Sequence, residues 1–324
     1  MKKSLKIVLI VSACLIALGV IISLGALAAI SLGGEGFGAF NTLNFETKEY
    51  SPVGDFDSIK VYGIECNVKF LLSTDGSCRV VCPEAENIYH EIEIFEGTLT
   101  INRVDNRRFY QRFGVQVGDL DILVYLPESE YESLYVNTVS GDINIPDDFK
   151  LESASAKSVS GEISCRAGVS GNISLESTSG EIEVGSSAPT SVELNSTSGS
   201  VTVSDMNISD ILDVKTVSGD VSVRNTKQTN LNISTTSGKT ECKNSVSSGK
   251  ILIDTTSGKT VLELCDAGTI NIKSVSGDVR GKLLSEKDFE VSTVSGDVDV
   301  PDKDSGGKCH IKTTSGSVYF TIAE

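Results

Sequence analysis

Tryptophan is absent from this 324-residue sequence, and histidine and methionine occur twice each. Two histidines leave almost nothing from which to build a zinc centre or a Ser-His-Asp triad. Proline is scarce, at 6 residues, and aromatics make up only 6% of the chain. Glycine, at 30 residues, is plentiful. That balance suits many short strands joined by turns. Basic residues are also few, 28 against 44 acidic, for a net charge of −16. Such a surface repels phosphate backbones, so no nucleic-acid partner is expected.

The N-terminus is different in kind. Lys2, Lys3 and Lys6 precede an uncharged run from Ile7 to Gly34, longer than the ~20 residues a helix needs to cross a bilayer. The expected layout is a basic cytoplasmic flank (1–6), a transmembrane anchor (7–32) in membrane lipid, and a Gly-rich stalk (33–44). The basic flank places the N-terminus in the cytoplasm and the C-terminal body outside the cell membrane. Cleavage as a signal peptide and lipidation at Cys14, in Val11-Ser12-Ala13-Cys14, are the alternatives.

From residue 132 onward one motif dominates. Ser-Gly corners preceded two residues earlier by Ser or Thr fall at Ser140, Ser160, Ser179, Ser198, Ser218, Ser237, Ser257, Ser276, Ser295 and Ser315, in steps of 19 or 20. A period held this tightly marks a repeat architecture. Aligned on that serine, four columns are mostly apolar: six and four residues before it, and three and five after it. Val136, Leu175, Ile233 and Ile272 illustrate the second column; Ile143, Ile182, Val221 and Val318 the third. Intervening positions are mostly polar, so each unit has two arms with period-two alternation, each a strand with one buried face. Turn formers between units, such as Asp147-Asp148 and Asp205 to Asn207, mark a second, more variable corner.

Two architectures use this pattern. In a meander the arms of each unit pair with each other across a Ser-Gly hairpin. In a single-stranded parallel β-solenoid each unit is one coil, stacked ~4.8 Å from the next. A meander needs about twenty strands in one sheet, beyond the ~10 that open sheets sustain. A uniform period is what stacked coils require, because an extra residue breaks register with both neighbours. The expected fold is therefore all-β, a solenoid of about ten 19–20-residue coils over 132–324. At each corner glycine supplies positive φ and the serine hydroxyl satisfies freed backbone groups. The Ser or Thr two residues earlier stacks as a hydroxyl ladder. Residues 45–131 lack the repeat but alternate, with a turn at Ser73-Thr74-Asp75-Gly76, and form a β-rich N-terminal cap. The C-terminal end carries no visible cap, which leaves self-association through that end open.

The anchor, the "FDSIKV" strand, a strand ending at Leu126-Pro127, and "LYVNTVSGDINI" followed by repeated T-x-S-G-D units resemble a bacterial envelope family named for adhesins, which includes LiaG-like proteins. The resemblance spans about 45–322. It implies one β-solenoid domain, no cofactor and no catalytic residues. The eight cysteines here depart from that pattern.

The remaining candidates for chemistry are few. "SGKT" at Ser237–Thr240 and Ser257–Thr260 has Ile233 and Ile253 where a phosphate-binding loop needs its first glycine. Cys309 and His310 are strand neighbours and point to opposite faces. Stacked acids after the corner, Asp142, Glu162 and Glu181, are the one metal candidate, for Ca²⁺, although lysines interrupt the same column at Lys239 and Lys259. Cys66, Cys78 and Cys82 flank the predicted hairpin; a turn near Asp75 brings Cys66 close to Cys82, and export permits a disulfide. The basic, aromatic cluster "NRRFYQRF" supplies candidate partner-binding residues Arg107, Arg108, Phe109, Tyr110, Arg112 and Phe113, suited to an envelope polymer or a membrane protein partner. The expectation is a non-enzymatic, membrane-anchored envelope protein, an adhesin or scaffold presenting a long face. The alternative is an accessory or sensor of an envelope-stress signalling system.

Overall fold

The computed structural model describes residues 43–108, 116–117, 120–302 and 306–323; the expected anchor and stalk lie outside them, apart from residues 43–44. No helix occurs among the described residues. The chain divides into two compact units. Of the described residues, the smaller holds 43–46, 85–88, 105–108 and 116–117. In it Leu43–Asn44 pairs in parallel with Gln116–Val117, and Ala85 and Ile88 exchange backbone hydrogen bonds.

The larger unit is a β-solenoid. Equivalent residues of successive windings sit opposite each other in parallel register: Ile163↔Ile182, Ile182↔Val201 and Val201↔Val221 on one arm, Leu175↔Leu194 and Leu194↔Val214 on the other. All of these are buried. Like stacks on like because both arms alternate with period two, and any slip would turn the aliphatic face outward.

The glycine of each corner is fixed by close approach of the windings. A Cβ at Gly180 would stand 1.8 Å from the Gly161 carbonyl oxygen, and one at Gly199 1.9 Å from that of Gly180. Positive φ, expected throughout, occurs at Gly238, Gly258, Gly277, Gly296 and Gly316, whereas the corners from Gly141 to Gly219 do without it. The two halves differ in hydrogen bonding accordingly. In the first half the glycine N–H donates to the hydroxyl two residues before the serine, as Gly161 to Ser158 and Gly180 to Ser177, both at 2.8 Å. In the second half it donates to the serine carbonyl of a neighbouring winding, as Gly238 to Ser257 and Gly277 to Ser315. The hydroxyls of Thr235, Thr255 and Thr313 are then buried without a partner. So the Ser-Gly serine, exposed in every described winding, serves the corner through its carbonyl in the second half, and the hydroxyl that receives the glycine N–H in the first half is that of the residue two before it. The second corner is regular too: Ser186, Asp205, Asn225, Asn244 and Leu264 all have φ between 51° and 58°.

At both ends, chain order and stacking order part company. The strand Ser58–Tyr62 lies between Glu130–Asn137 and Thr98–Asp105. Likewise Asn67–Leu72 lies between Ile143–Ile145 and Asp121–Leu126. Much of the segment expected to be a separate cap is thus itself wound. The expected hairpin across Ser73–Gly76 does not form, because Asp121–Leu126 lies between its two arms and pairs antiparallel with Arg79–Glu84 on the far side. The turn at Asp75 is real: its carboxylate accepts from Ser73 Oγ, Ser77 Oγ and Ser77 N, and those bonds hold its pKa below the usual range.

At the other end, Gly307–Ser315 inserts between Thr260–Ser276 and Lys287–Ser295. The C-terminal strands are therefore interior, and the outermost winding is 287–299. Lys287, buried on that winding, reaches over Gly307 to Asp266 Oδ1 at 2.5 Å; the missing side chain at 307 leaves it room, since a Cβ there would lie 3.2 Å from its Nζ. Asp288, Glu290, Asp297 and Asp299 place charge on this edge, which discourages strand addition.

Candidate functional site

The outward residue after the corner glycine has a structural task. Asp142 Oδ1 accepts from the Glu162 N–H at 2.9 Å, Asp220 Oδ1 from Lys239 N at 2.7 Å, and Asp278 Oδ1 from Ser317 N at 3.1 Å. At these three corners the aspartate ties one winding to the backbone of the next. Asp142, Glu162 and Glu181 do come together in one column. Burial, then the charges of Glu181, Asp142 and Glu183, push the Glu162 carboxyl above its ordinary pKa. An open groove of about 530 Å³ beside them is lined by Lys69, Asn144, Asp147 and Arg166. Lys69 pairs with Asp121, and Arg166 with Glu183 at 2.7 Å. Among the described residues no group of three His, Cys, Asp or Glu is arranged to hold a metal.

All seven described cysteines are buried free thiols. Burial pushes Cys165 and Cys309 up to about 12, and Cys78 to about 11, which suppresses the nucleophilic thiolate. Cys66 and Cys82 are not bonded: the intervening strand Asp121–Leu126 removes the hairpin that would have aligned them. Burial, with Glu84 and Cys66 nearby, raises Cys82 to about 12. Cys309 faces the core while His310 faces out, its Nδ1 2.8 Å from Glu290.

His90 is buried, with neither ring nitrogen hydrogen-bonded, 3.7 Å from Glu84. Burial lowers its pKa to about 4, with Glu84 opposing that shift and Arg103 adding to it. Arg103 is equally buried, its three guanidinium nitrogens lack hydrogen-bond partners, and its closest carboxylate is Glu65 at 3.9 Å. The Cys66 thiol feels the Arg103 charge, but burial outweighs it and holds that thiol's pKa above its ordinary value.

Of the basic cluster, Arg107 is buried and clamped to Asp105 through Nε at 2.9 Å and Nη2 at 2.7 Å. Arg108 is exposed. Phe109, Tyr110, Arg112 and Phe113 lie outside the described residues.

Tyr62 and Tyr135 project from the outer face of neighbouring strands, with ring centroids 5.7 Å apart and planes at 53°. The signal was in the alternation: Ile59, Val61, Leu134 and Val136 point inward, which turns both tyrosines outward.

The family model described as Toastrack DUF4097 matches residues 95–245 and 210–324. No curated protein matches the sequence. Among solved structures, the chain is similar to a "putative adhesin" from Bacteroides fragilis NCTC 9343, at 13% identity and a TM-score of 0.39, covering 86% of this chain and 97% of that one. It is similar to a "putative lipid binding protein" from Parabacteroides distasonis ATCC 8503, at 19% identity and 0.42, covering 88% and 98%. A third, a "putative adhesin" from Parabacteroides merdae ATCC 43184, has 15% identity and 0.33, covering 87% and 97%.

Proposed function

The chain belongs to the Toastrack DUF4097 family, and from that premise we propose that it is a non-enzymatic, adhesin-like surface protein of the cell envelope, carried on an N-terminal membrane anchor. One observation carries the reading. The interior is spent on packing, with every described thiol buried, while the exterior offers the same outward positions winding after winding. Repetition of that kind suits many weak contacts, whose joint avidity exceeds any single one. The anchor rests on the uncharged run behind Lys2, Lys3 and Lys6.

The test exchanges residues 7–32 for an unrelated membrane helix. An adhesin keeps its retention on isolated envelope material or on other cells after the exchange. Loss of function on that exchange alone contradicts the reading and favours an accessory that binds a membrane protein through the anchor.

A further inference from the structure

The geometry points to a glycan-docking platform centred on Tyr62 and Tyr135, taking a neutral polysaccharide; this rests on the adhesin-like reading and names its ligand. The two rings lie on the outer face of the arm that precedes each corner. The fold does not need them there. Ser58 and Ser133 occupy outward positions of the same strands, and Ser153 and Ser155 of the next winding, so the outer face is built elsewhere from small polar residues. Tyr62 is 37% exposed. Tyr135 is half-buried, and together the two rings leave aromatic surface open on this face.

The surroundings specify the chemistry. Register places Lys60 directly opposite Tyr135, and Asn102 and Asn137 on either side of Tyr62. Lys157 follows Asn137 in the same column and pairs with Glu176 at 2.8 Å. The site is thus two aromatic faces ringed by amides, hydroxyls and ammonium groups. A sugar ring has the matching form: a C–H face that packs on an aromatic ring, and an equatorial rim of hydroxyls that seeks donors and acceptors. Tyrosine suits this contact because it offers rigid, amphipathic area with few torsions to freeze.

Charge selects among glycans. The chain as a whole carries −16, and that field repels an anionic polymer at long range. Glu176, opposite Lys157 in the column that begins with Tyr62 and Asn137, is paired with that lysine, and a neutral chain is not repelled by the acidic field. Further along the same arm the Tyr135 column runs through Ser155 and Ser174 to Glu193, and the neighbouring outward column through Ser153 to Asn172 and Ser191. A chain laid across successive windings therefore meets hydroxyl and amide groups about every 4.8 Å, close to the length of one sugar unit.

The test uses the full-length chain in detergent micelles, by affinity electrophoresis. The probes are a neutral hexose glucan, an N-acetylhexosamine polymer, a glycerol-phosphate polymer and phosphatidylglycerol vesicles. Retardation by at least one neutral polymer, weakened tenfold or more in Tyr62→Ala/Tyr135→Ala, is the expected result. Tyr319→Ala, on the other arm beside Arg280, leaves retention unchanged. Ser155→Glu, which keeps both rings and adds charge next to Tyr135, also weakens it, and serves if the double variant fails to fold. Unchanged retention of the variants, no retention by a neutral polymer, or binding confined to the phosphate polymer or vesicles overturns the platform. If envelope material still holds the double variant as well as the wild type, the platform falls and the adhesin reading stands. If envelope material never holds the wild type, the adhesin reading falls, and a tyrosine-dependent shift on purified glycan still upholds the platform.

Discussion

Phe320 occupies the space above Gly281: a Cβ at 281 would come within 2.2 Å of the ring's Cε1. The two residues face each other in adjacent windings, although nearly forty positions separate them in sequence. In most other windings the column that holds Gly281 is filled by Val, Ile, Leu or Cys, so the glycine is a vacancy cut to receive a ring. That match is a physical reason for 307–322 to settle on 269–283, ahead of the winding that precedes it in the chain.

Restoring bulk should therefore be harmful. Gly281→Val is expected to destabilise the fold by about 1–3 kcal/mol through overpacking. Gly281→Val/Phe320→Val should recover a substantial part of that loss. Urea denaturation of the three variants checks this; equal stabilities of the single variant and the wild type would show that the ring does not need the vacancy.

Leu264 stands alone among the second-corner residues. Ser186, Asp205, Asn225 and Asn244 tolerate positive φ, and Asn225 and Asn244 extend a side-chain ladder, Asn225 Nδ2 to Asp205 Oδ1 at 2.9 Å and Asn244 Nδ2 to Asn225 Oδ1 at 3.0 Å. Leucine at φ 54° is strained by about 1–2 kcal/mol. Leu264→Asn is expected to raise stability by about 1 kcal/mol, read as a higher unfolding midpoint. A fall in the midpoint would mean that leucine's packing outweighs its backbone strain.

His90 makes acid the weak side of the fold. Its folded pKa is about 4 because burial disfavours the imidazolium, while an unfolded histidine titrates near 6.5. Between those values the unfolded chain binds the proton and the folded chain does not. Stability is therefore unaffected by this group above pH 6.5 and declines as pH falls toward 4, by up to roughly 3 kcal/mol. His90→Phe should flatten the pH profile in that window. A wild-type profile already flat from pH 7 to 4 would contradict the assignment.

The sequence disclosed the repeat because burial writes the same period into every winding, and the four apolar columns, the corner glycines and the parallel stacking all follow from it. What it concealed has a common cause. Units that are interchangeable in register do not declare their spatial order, so both end insertions escaped, and with them the strand that separates Cys66 from Cys82. The clue at the C-terminal end was a mismatch within the columns, Gly281 against Phe320, visible only once stacking order is in question. The corner hydroxyl was placed on the wrong residue because Ser140 and its equivalents are the constant element, whereas the working groups, Ser158 and Ser177 among them, vary between Ser and Thr. Of the candidate site, the acids were found as a column, but their backbone role depends on the distance between windings. The tyrosine platform joins residues 62 and 135, which no local pattern links.

The order of windings is open to one direct measurement. Lys273 and Lys312 are opposite each other on adjacent strands, with Ser292 one winding further out. Adjacent windings lie ~4.8 Å apart, inside the Cα range of a disulfide; twice that distance is outside it. Under mild oxidation Lys273→Cys/Lys312→Cys should cross-link readily and Lys273→Cys/Ser292→Cys should not. The reverse outcome, 273 bonded to 292 and not to 312, would show that the windings simply follow chain order and that the insertion described here does not exist.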